Sequence, residues 1–164
     1  MSFPTPFFRR ARIGCALILL ASVAGACGSD TEVASNPATE TFAASLGVNV
    51  AAMQTKAANL YYQDIIVGTG AEAIAGKSVS VTYTGWLADG TQFDTNVGGV
   101  VLVVTPLGNA NVIQGWNLGL QGMKAGGKRR LVIGSGLGYG ATGSAPLIGK
   151  NKTLVFDVTC LAVN

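Results

Sequence analysis

The sequence predicts an α+β domain, an antiparallel sheet of five or six strands with one short helix, over residues 61–164 of a 164-residue chain. Three observations carry this. From Tyr61 the texture turns to short β-branched and aromatic runs separated by glycine. Residues 77–87 alternate apolar and polar side chains, the period of a half-buried strand. Only one stretch, 112–121, reads as a convincing helix between the strand runs, which excludes a regular βαβ succession.

Each element follows from local chemistry. Tyr61–Val67 is a strand candidate closed by Gly68-Thr69-Gly70. In Lys77–Leu87, Val79, Val81 and Tyr83 share one face while Ser80, Thr82 and Thr84 share the other. Asp89-Gly90 signals a hairpin, because glycine tolerates the positive φ of primed turns, and Thr91–Asp94 returns from it. Gly99–Thr105, Lys128–Ile133 and Thr153–Val163 complete the strand set, and Asn111 is the expected N-cap of the helix. Lys128-Arg129-Arg130 reads as a solvated strand start whose charges protect an edge. Cys160 reads as a small hydrophobe packed in the last strand.

Ahead of the domain, residues 1–26 read as a signal peptide. A basic stretch with Arg9, Arg10 and Arg12 precedes an apolar run, Ile13–Val23, too short to span a bilayer. Ala24-Gly25-Ala26-Cys27 suits an ordinary signal peptidase. It is also similar to a bacterial lipobox, with Ala24 where leucine is usual, and Cys27 is then the lipidated residue. The polar Ser/Thr/Ala-rich run after Cys27 favours the anchor, since such a run behaves as a tether. Residues 27–60 are therefore expected to be a polar tether with a short helix near 46–60, where Leu46, Val50, Met53 and Ala57 recur at helical spacing. The expected location is the cell envelope, exported and lipid-anchored. Gly28 after Cys27 favours the outer membrane, facing the periplasm, by analogy with lipoprotein sorting. Free secretion with an unmodified Cys27 is the alternative.

Composition excludes several functions. Three of the 11 basic residues lie before residue 27, and the remaining eight balance eight acidic ones, so no nucleic-acid footprint is expected. With no histidine, neither a Ser–His–Asp triad nor an imidazole metal site can be built, and three scattered cysteines make no thiolate site. No metal or cofactor is expected. The glycine-rich run 134–140 opens no helix, and Gly143 to Lys150 is one residue too long for a phosphate loop, with Asn151 where Ser or Thr must bind magnesium.

One combination of segments is specific. Val81-Thr-Tyr-Thr-Gly-Trp-Leu-Ala-Asp-Gly-Thr-Gln-Phe-Asp94, Val112-Ile-Gln-Gly-Trp-Asn-Leu-Gly-Leu-Gln-Gly-Met123 and Gly126-Gly-Lys-Arg-Arg-Leu-Val-Ile133 stand in order, followed by Tyr139-Gly-Ala-Thr-Gly143 and Thr153-Leu-Val-Phe-Asp-Val158. Together they resemble the FK506-binding-protein family of peptidyl-prolyl cis-trans isomerases over about residues 61–164. The resemblance implies a bent antiparallel sheet wrapped around the short helix, with the active pocket between them. Tyr83, Phe93, Trp116, Tyr139 and Phe156 fall at the family's pocket positions, and an aromatic cup suits an apolar, rigid proline ring.

By that resemblance Trp116 is the pocket floor, and Phe93, Val103, Val112, Ile113, Ile148 and Phe156 form the walls, with Leu147 also on the substrate side. The Ile113 backbone N–H and the Tyr139 hydroxyl are expected to hold substrate carbonyls, and Asp94 to accept a hydrogen bond from Tyr83. The sequence departs from the family pattern at four places. Val103 stands for a usual Phe, Ser144 and Gly149-Lys150 replace a frequent His and Pro pair, and Gly99 occupies the place of an Arg. A thinner wall, a looser late loop and weakened macrolide inhibition are expected. The expected activity is isomerisation of X–Pro bonds in proline-containing polypeptides, assisting the folding of exported proteins. The alternative is a proline-segment-binding chaperone or interaction module with little turnover. The chain is expected to be a monomer.

Overall fold

The side chains of Lys128–Ile133 show how the molecule is layered in the computed structural model, which describes residues 33–164. The expected signal peptide and Cys27 lie outside the described residues. Arg129, Leu131 and Ile133 face a short helix, while Lys128, Arg130 and Val132 face the opposite side, where the segment before the domain packs. This is the strand period of two with both faces covered.

The strands are β1 Gln54–Ala57, β2 Leu60–Ile66, β3 Val79–Leu87, β4 Gln92–Thr95, β5 Leu102–Val104, β6 Lys128–Ile133 and β7 Leu154–Val163. They form one antiparallel seven-stranded sheet in the order β1-β2-β6-β7-β3-β4, with β5 also pairing β3. The helix α1, Gln114–Gly119, packs on one face. The sheet has more strands than the five or six expected, because β1 forms where a helix near 46–60 was expected. That stretch instead makes 3-10 turns at Ala44–Leu46 and Val50–Ala52 before entering β1.

Helix and sheet meet closely because α1 carries glycine on its inner side. A Cβ on Gly115 would lie 2.5 Å from the Ile133 side chain. The expected N-cap, Asn111, is two residues early. Ile113 occupies that place without a side-chain bond, and Asn111 lies at the mouth of the cavity described below. The buried Asn117 does the shaping: its side chain accepts from the Gly108 and Ala110 N–H groups and donates to the Ala110 carbonyl, each at 3.0 Å.

The segment from Val33 to β1 is not a free tether. Phe42, Ala43, Val48, Val50 and Met53 pack with Leu46 against Val132, Val155, Tyr61 and Trp86, a second apolar cluster on the outer face of the sheet. The Ala43 N–H donates to the Ala88 carbonyl at 2.8 Å, and Arg130 donates to the Leu46 carbonyl. The apolar residues of this strap follow no single period, so its packing is invisible to a periodicity argument.

The basic triplet is likewise not a solvated edge. β6 is an inner strand between β2 and β7, and all three charges are paired. Lys128 and Arg130 share Asp157, at 3.3 and 2.6 Å. Arg129 is 3% exposed, bonds both oxygens of Asp64 at 2.7 and 3.1 Å, and donates to the Gly119 and Gln121 carbonyls. Its guanidinium also lies 4.4 Å from the centre of the Tyr62 ring, a favourable cation–π contact. Cys160 is buried as expected, and burial pushes its thiol up.

Candidate active site

Between α1, the inner face of the sheet and the loops that follow β5 and β6 lies a cavity of about 170 Å³. Its lining joins residues far apart in the chain: Tyr83 from β3, Phe93 and Asp94 from β4, Leu102 from β5, Trp116 from α1, Phe156 from β7, and Tyr139, with Asn111, Val112 and Ile113 leading into the helix. Four rings lock edge to face. Trp116 meets Tyr83 at 4.9 Å and Phe156 at 5.3 Å between centroids, and Phe93 meets Phe156 at 5.5 Å. Such pairs contribute about 0.5–1.5 kcal/mol each beyond their burial. They hold the cup in shape before anything binds.

Gly85 makes the cup possible. A Cβ there would stand 2.7 Å from the Phe93 ring and 2.8 Å from that of Phe156, so any side chain would drive the two rings apart.

The polar groups are few and directed. The Tyr83 hydroxyl donates to Asp94 Oδ2 at 2.5 Å, a short charge-assisted bond. Burial first, then that hydrogen bond and the carboxylate charge, hold the Tyr83 hydroxyl protonated well above the ordinary tyrosine range. Tyr139 is pushed upward too, by burial and by the charge of Asp94. Trp116 is 3% exposed, and its indole N–H has no hydrogen-bond partner among the described residues.

Asn96, which sequence reasoning passed over, holds this pair in place. β4 and β5 leave a gap in the edge of the sheet beside Tyr83. The Asn96 side chain fills it, accepting from the Tyr83 N–H at 2.7 Å and donating to the Val81 and Val100 carbonyls at 3.2 and 3.0 Å. One amide thus substitutes for a missing strand partner.

Most of the residues expected in the pocket are brought together there: Tyr83, Phe93, Asp94, Val112, Ile113, Trp116, Tyr139 and Phe156. Leu147 and Ile148 line an adjoining concavity of about 160 Å³ that shares Phe93, Asp94 and Tyr139 with the first. Val103 is a correction. It is 51% exposed and outside the cavity, whereas its neighbour Leu102 forms the wall. Adjacent strand residues point to opposite faces, so a shift of one position exchanges wall for solvent. The wall is therefore aliphatic but not absent. The late loop also carries its own pairing, with Ser144 and Ile148 exchanging backbone hydrogen bonds of 2.7 and 2.9 Å, so it is tied internally despite lacking the Pro pair.

Comparison with known proteins agrees with this construction. Residues 70–161 match the family described as FKBP-type peptidyl-prolyl cis-trans isomerase. An FK506-binding protein of Neisseria meningitidis serogroup A is 45% identical over 105 residues, covering 64% of this chain and 96% of that protein. The mouse peptidyl-prolyl cis-trans isomerase FKBP2 is 47% identical over 88 residues, 54% of this chain and 63% of that protein. Among solved structures, a peptidyl-prolyl cis-trans isomerase from Pseudomonas syringae superposes with a TM-score of 0.62 at 36% identity, over 68% of this chain and 80% of the other. The match includes β3 to most of β7, every element that contributes to the aromatic cup. On these grounds the chain belongs to the FKBP-type peptidyl-prolyl cis-trans isomerase family.

Proposed function

We propose that the aromatic cavity is the active site of a peptidyl-prolyl cis-trans isomerase that assists the folding of exported polypeptides. The observation that carries this reading is a preformed proline-sized cup of four interlocked rings with one short Tyr83–Asp94 pair at its wall. Rotation about the X–Pro bond meets a barrier of about 18–20 kcal/mol because resonance flattens the amide. The twisted amide has lost that resonance and part of its dipole. A dry aromatic surface holds it better than the planar form, and this difference in binding is the catalysis.

In this reading Trp116 supports the proline ring, while Phe93, Leu102, Val112 and Phe156 enclose it. Ile113 stands where the chain enters α1, and N–H groups of a first turn lie outside the helix ladder. Its N–H holds one substrate carbonyl and the Tyr139 hydroxyl another. Asp94 orients Tyr83 and presents its carboxylate to the amide. A protease-coupled assay on an X–Pro peptide is the test. Acceleration over buffer that falls sharply in Trp116→Leu supports the reading, and no acceleration by the wild type sinks it. The alternative of a binding module with little turnover rests on thinned walls at Val103 and Ser144; against it, Leu102 supplies the wall at the first and backbone bonds to Ile148 tie the loop at the second.

No proton moves in the reaction, and both pocket hydroxyls stay protonated beyond the usual tyrosine value. A kcat/KM profile flat from about pH 6 to pH 9 is therefore expected. Folded-state values raised above the unfolded one contribute stability that is complete below about pH 10. That stability is lost progressively as pH rises from there through the raised folded values, so alkaline destabilisation should set in above about pH 10. A bell-shaped profile centred near neutrality would contradict this.

Proline-containing segments are the proposed substrates and macrolides the proposed inhibitors, the latter weakened by the aliphatic Leu102 wall. We also propose a lipid anchor on Cys27 facing the periplasm, with a monomeric domain. Support for the anchor is the basic–apolar–small-residue order before Cys27. Mass spectrometry of the mature N-terminus decides between a diacylglyceryl cysteine and free secretion, and sedimentation of the purified protein tests the monomer.

A further inference from the structure

The loop between β6 and β7, residues 134–153, brings Tyr139, Leu147 and Ile148 to the pocket, and the N-terminal strap holds it at both ends. At its start two serines exchange reciprocal bonds. The Ser135 N–H donates to Ser35 Oγ at 2.8 Å, and the Ser35 N–H donates to Ser135 Oγ at 2.9 Å. At its end the Thr153 hydroxyl donates to Glu40 Oε2 at 3.0 Å. Ser135 and Thr153 are 1% and 2% exposed, so water does not readily replace these partners.

From Ser135 the bonding runs inward. Its carbonyl accepts from the Gly140 N–H at 2.9 Å, the Gly140 carbonyl accepts from the Asn151 N–H at 2.8 Å, and the Tyr139 carbonyl accepts from the Gly143 N–H at 3.0 Å. The strap is thus joined through one buried serine to the backbone that carries Tyr139. The loop is also shaped to receive it. A Cβ on Gly134 would stand 2.9 Å from the Ser35 carbonyl oxygen and from Asn59 Cβ, and 3.1 Å from Pro37 Cδ. The strap lies outside the residues 70–161 that match the family.

We propose that Ser35 and Glu40 are positioning residues for the isomerase site. By pinning both stems of loop 134–153 they fix Tyr139, Leu147 and Ile148, so a segment preceding the family domain sets how tightly the pocket holds its peptide. The inference rests on the isomerase reading. Loop residues grip the peptide in its planar and twisted forms alike, so their loosening acts on KM more than on kcat.

The test is the double variant Ser35→Ala, Glu40→Gln, assayed with an X–Pro peptide and followed by amide hydrogen exchange. KM is expected to rise about fivefold with kcat within about twofold. Exchange should quicken at residues 139–151 while β3 and β6 keep their protection. Gly134→Ala, which displaces the strap without removing any side chain of the loop, is expected to act in the same direction. Asp64→Asn, which weakens the fold away from the strap, should leave KM unchanged. If the double variant does not fold, Ser35→Ala alone carries the same expectation. A wild type without turnover would refute the isomerase reading itself. An active wild type whose strap variants keep the original KM, or an equal rise in Asp64→Asn, would overturn the inference.

Discussion

Replacing Asp94 by alanine is expected to lower kcat/KM for an X–Pro peptide by about 10- to 100-fold, the equivalent of the roughly 1.5–3 kcal/mol carried by a hydrogen bond to a charged group. The carboxylate accepts the 2.5 Å bond from Tyr83 and is the charge nearest the proposed amide site. Without it the Tyr83 hydroxyl loses its partner and is free to compete for the substrate carbonyl. The fold should hardly notice. Tyr83 remains wedged edge-on against Trp116 and Phe156, and its backbone remains clamped by Asn96. Asp94→Ala is therefore expected to unfold within about 1 kcal/mol of the wild type, as surface-accessible substitutions do. Asp94→Asn, which keeps an acceptor but not the charge, should recover part of the rate. An unchanged kcat/KM in Asp94→Ala would remove the carboxylate from the mechanism.

Arg129→Ala is expected to be the most destabilising single change outside the pocket. The guanidinium is buried and serves Asp64, two carbonyls and the Tyr62 ring at once. Truncation leaves the Gly119 carbonyl and a partly buried carboxylate without their donor, leaves the Gln121 carbonyl to Lys56 alone, and opens a void under Tyr62. Removing one partner of a buried pair costs about 3–5 kcal/mol, or roughly 10–20 °C in Tm for a domain of this size. Arg129→Met, which refills the volume without restoring the charge, should lose less, because it closes the void that alanine leaves under Tyr62. Thermal unfolding of both variants checks the order. A methionine variant no better than the alanine one would show that the ion pair, not the packed volume, dominates.

Much of the architecture was legible because it rests on periods and turns. The β6 strand stands at the residues expected, and β3 turns Val79, Val81 and Tyr83 to the helix side as its alternation requires. What escaped notice has a physical reason in each case. The resemblance puts the pocket wall at Val103, not Leu102, and the unbroken apolar run from Val100 to Val104 offers no polar position to correct the phase. Arg129 looked like a surface charge because its counter-ion, Asp64, is 65 residues away in the chain. The strap looked like a linker because its apolar residues meet the sheet through two 3-10 turns, whose spacing matches neither a helix nor a strand. Asn96 and Asn117 are single polar side chains doing backbone work, and a sequence pattern gives no sign of that.

The position of β7 has a consequence for when this protein can exist as a folded object. This strand, formed by residues 154–163, lies in the interior of the sheet and, among the described residues, is the only strand joining the β1-β2-β6 half to the β3-β4-β5 half. A chain emerging N-terminus first, from a ribosome or through a membrane, would hold both halves with an empty slot between them until its last-formed strand arrived. Four of the six strand pairings join segments more than 20 residues apart, which favours slow, late folding. The sequence order thus delays commitment to the native state until residues 154–163 have been delivered.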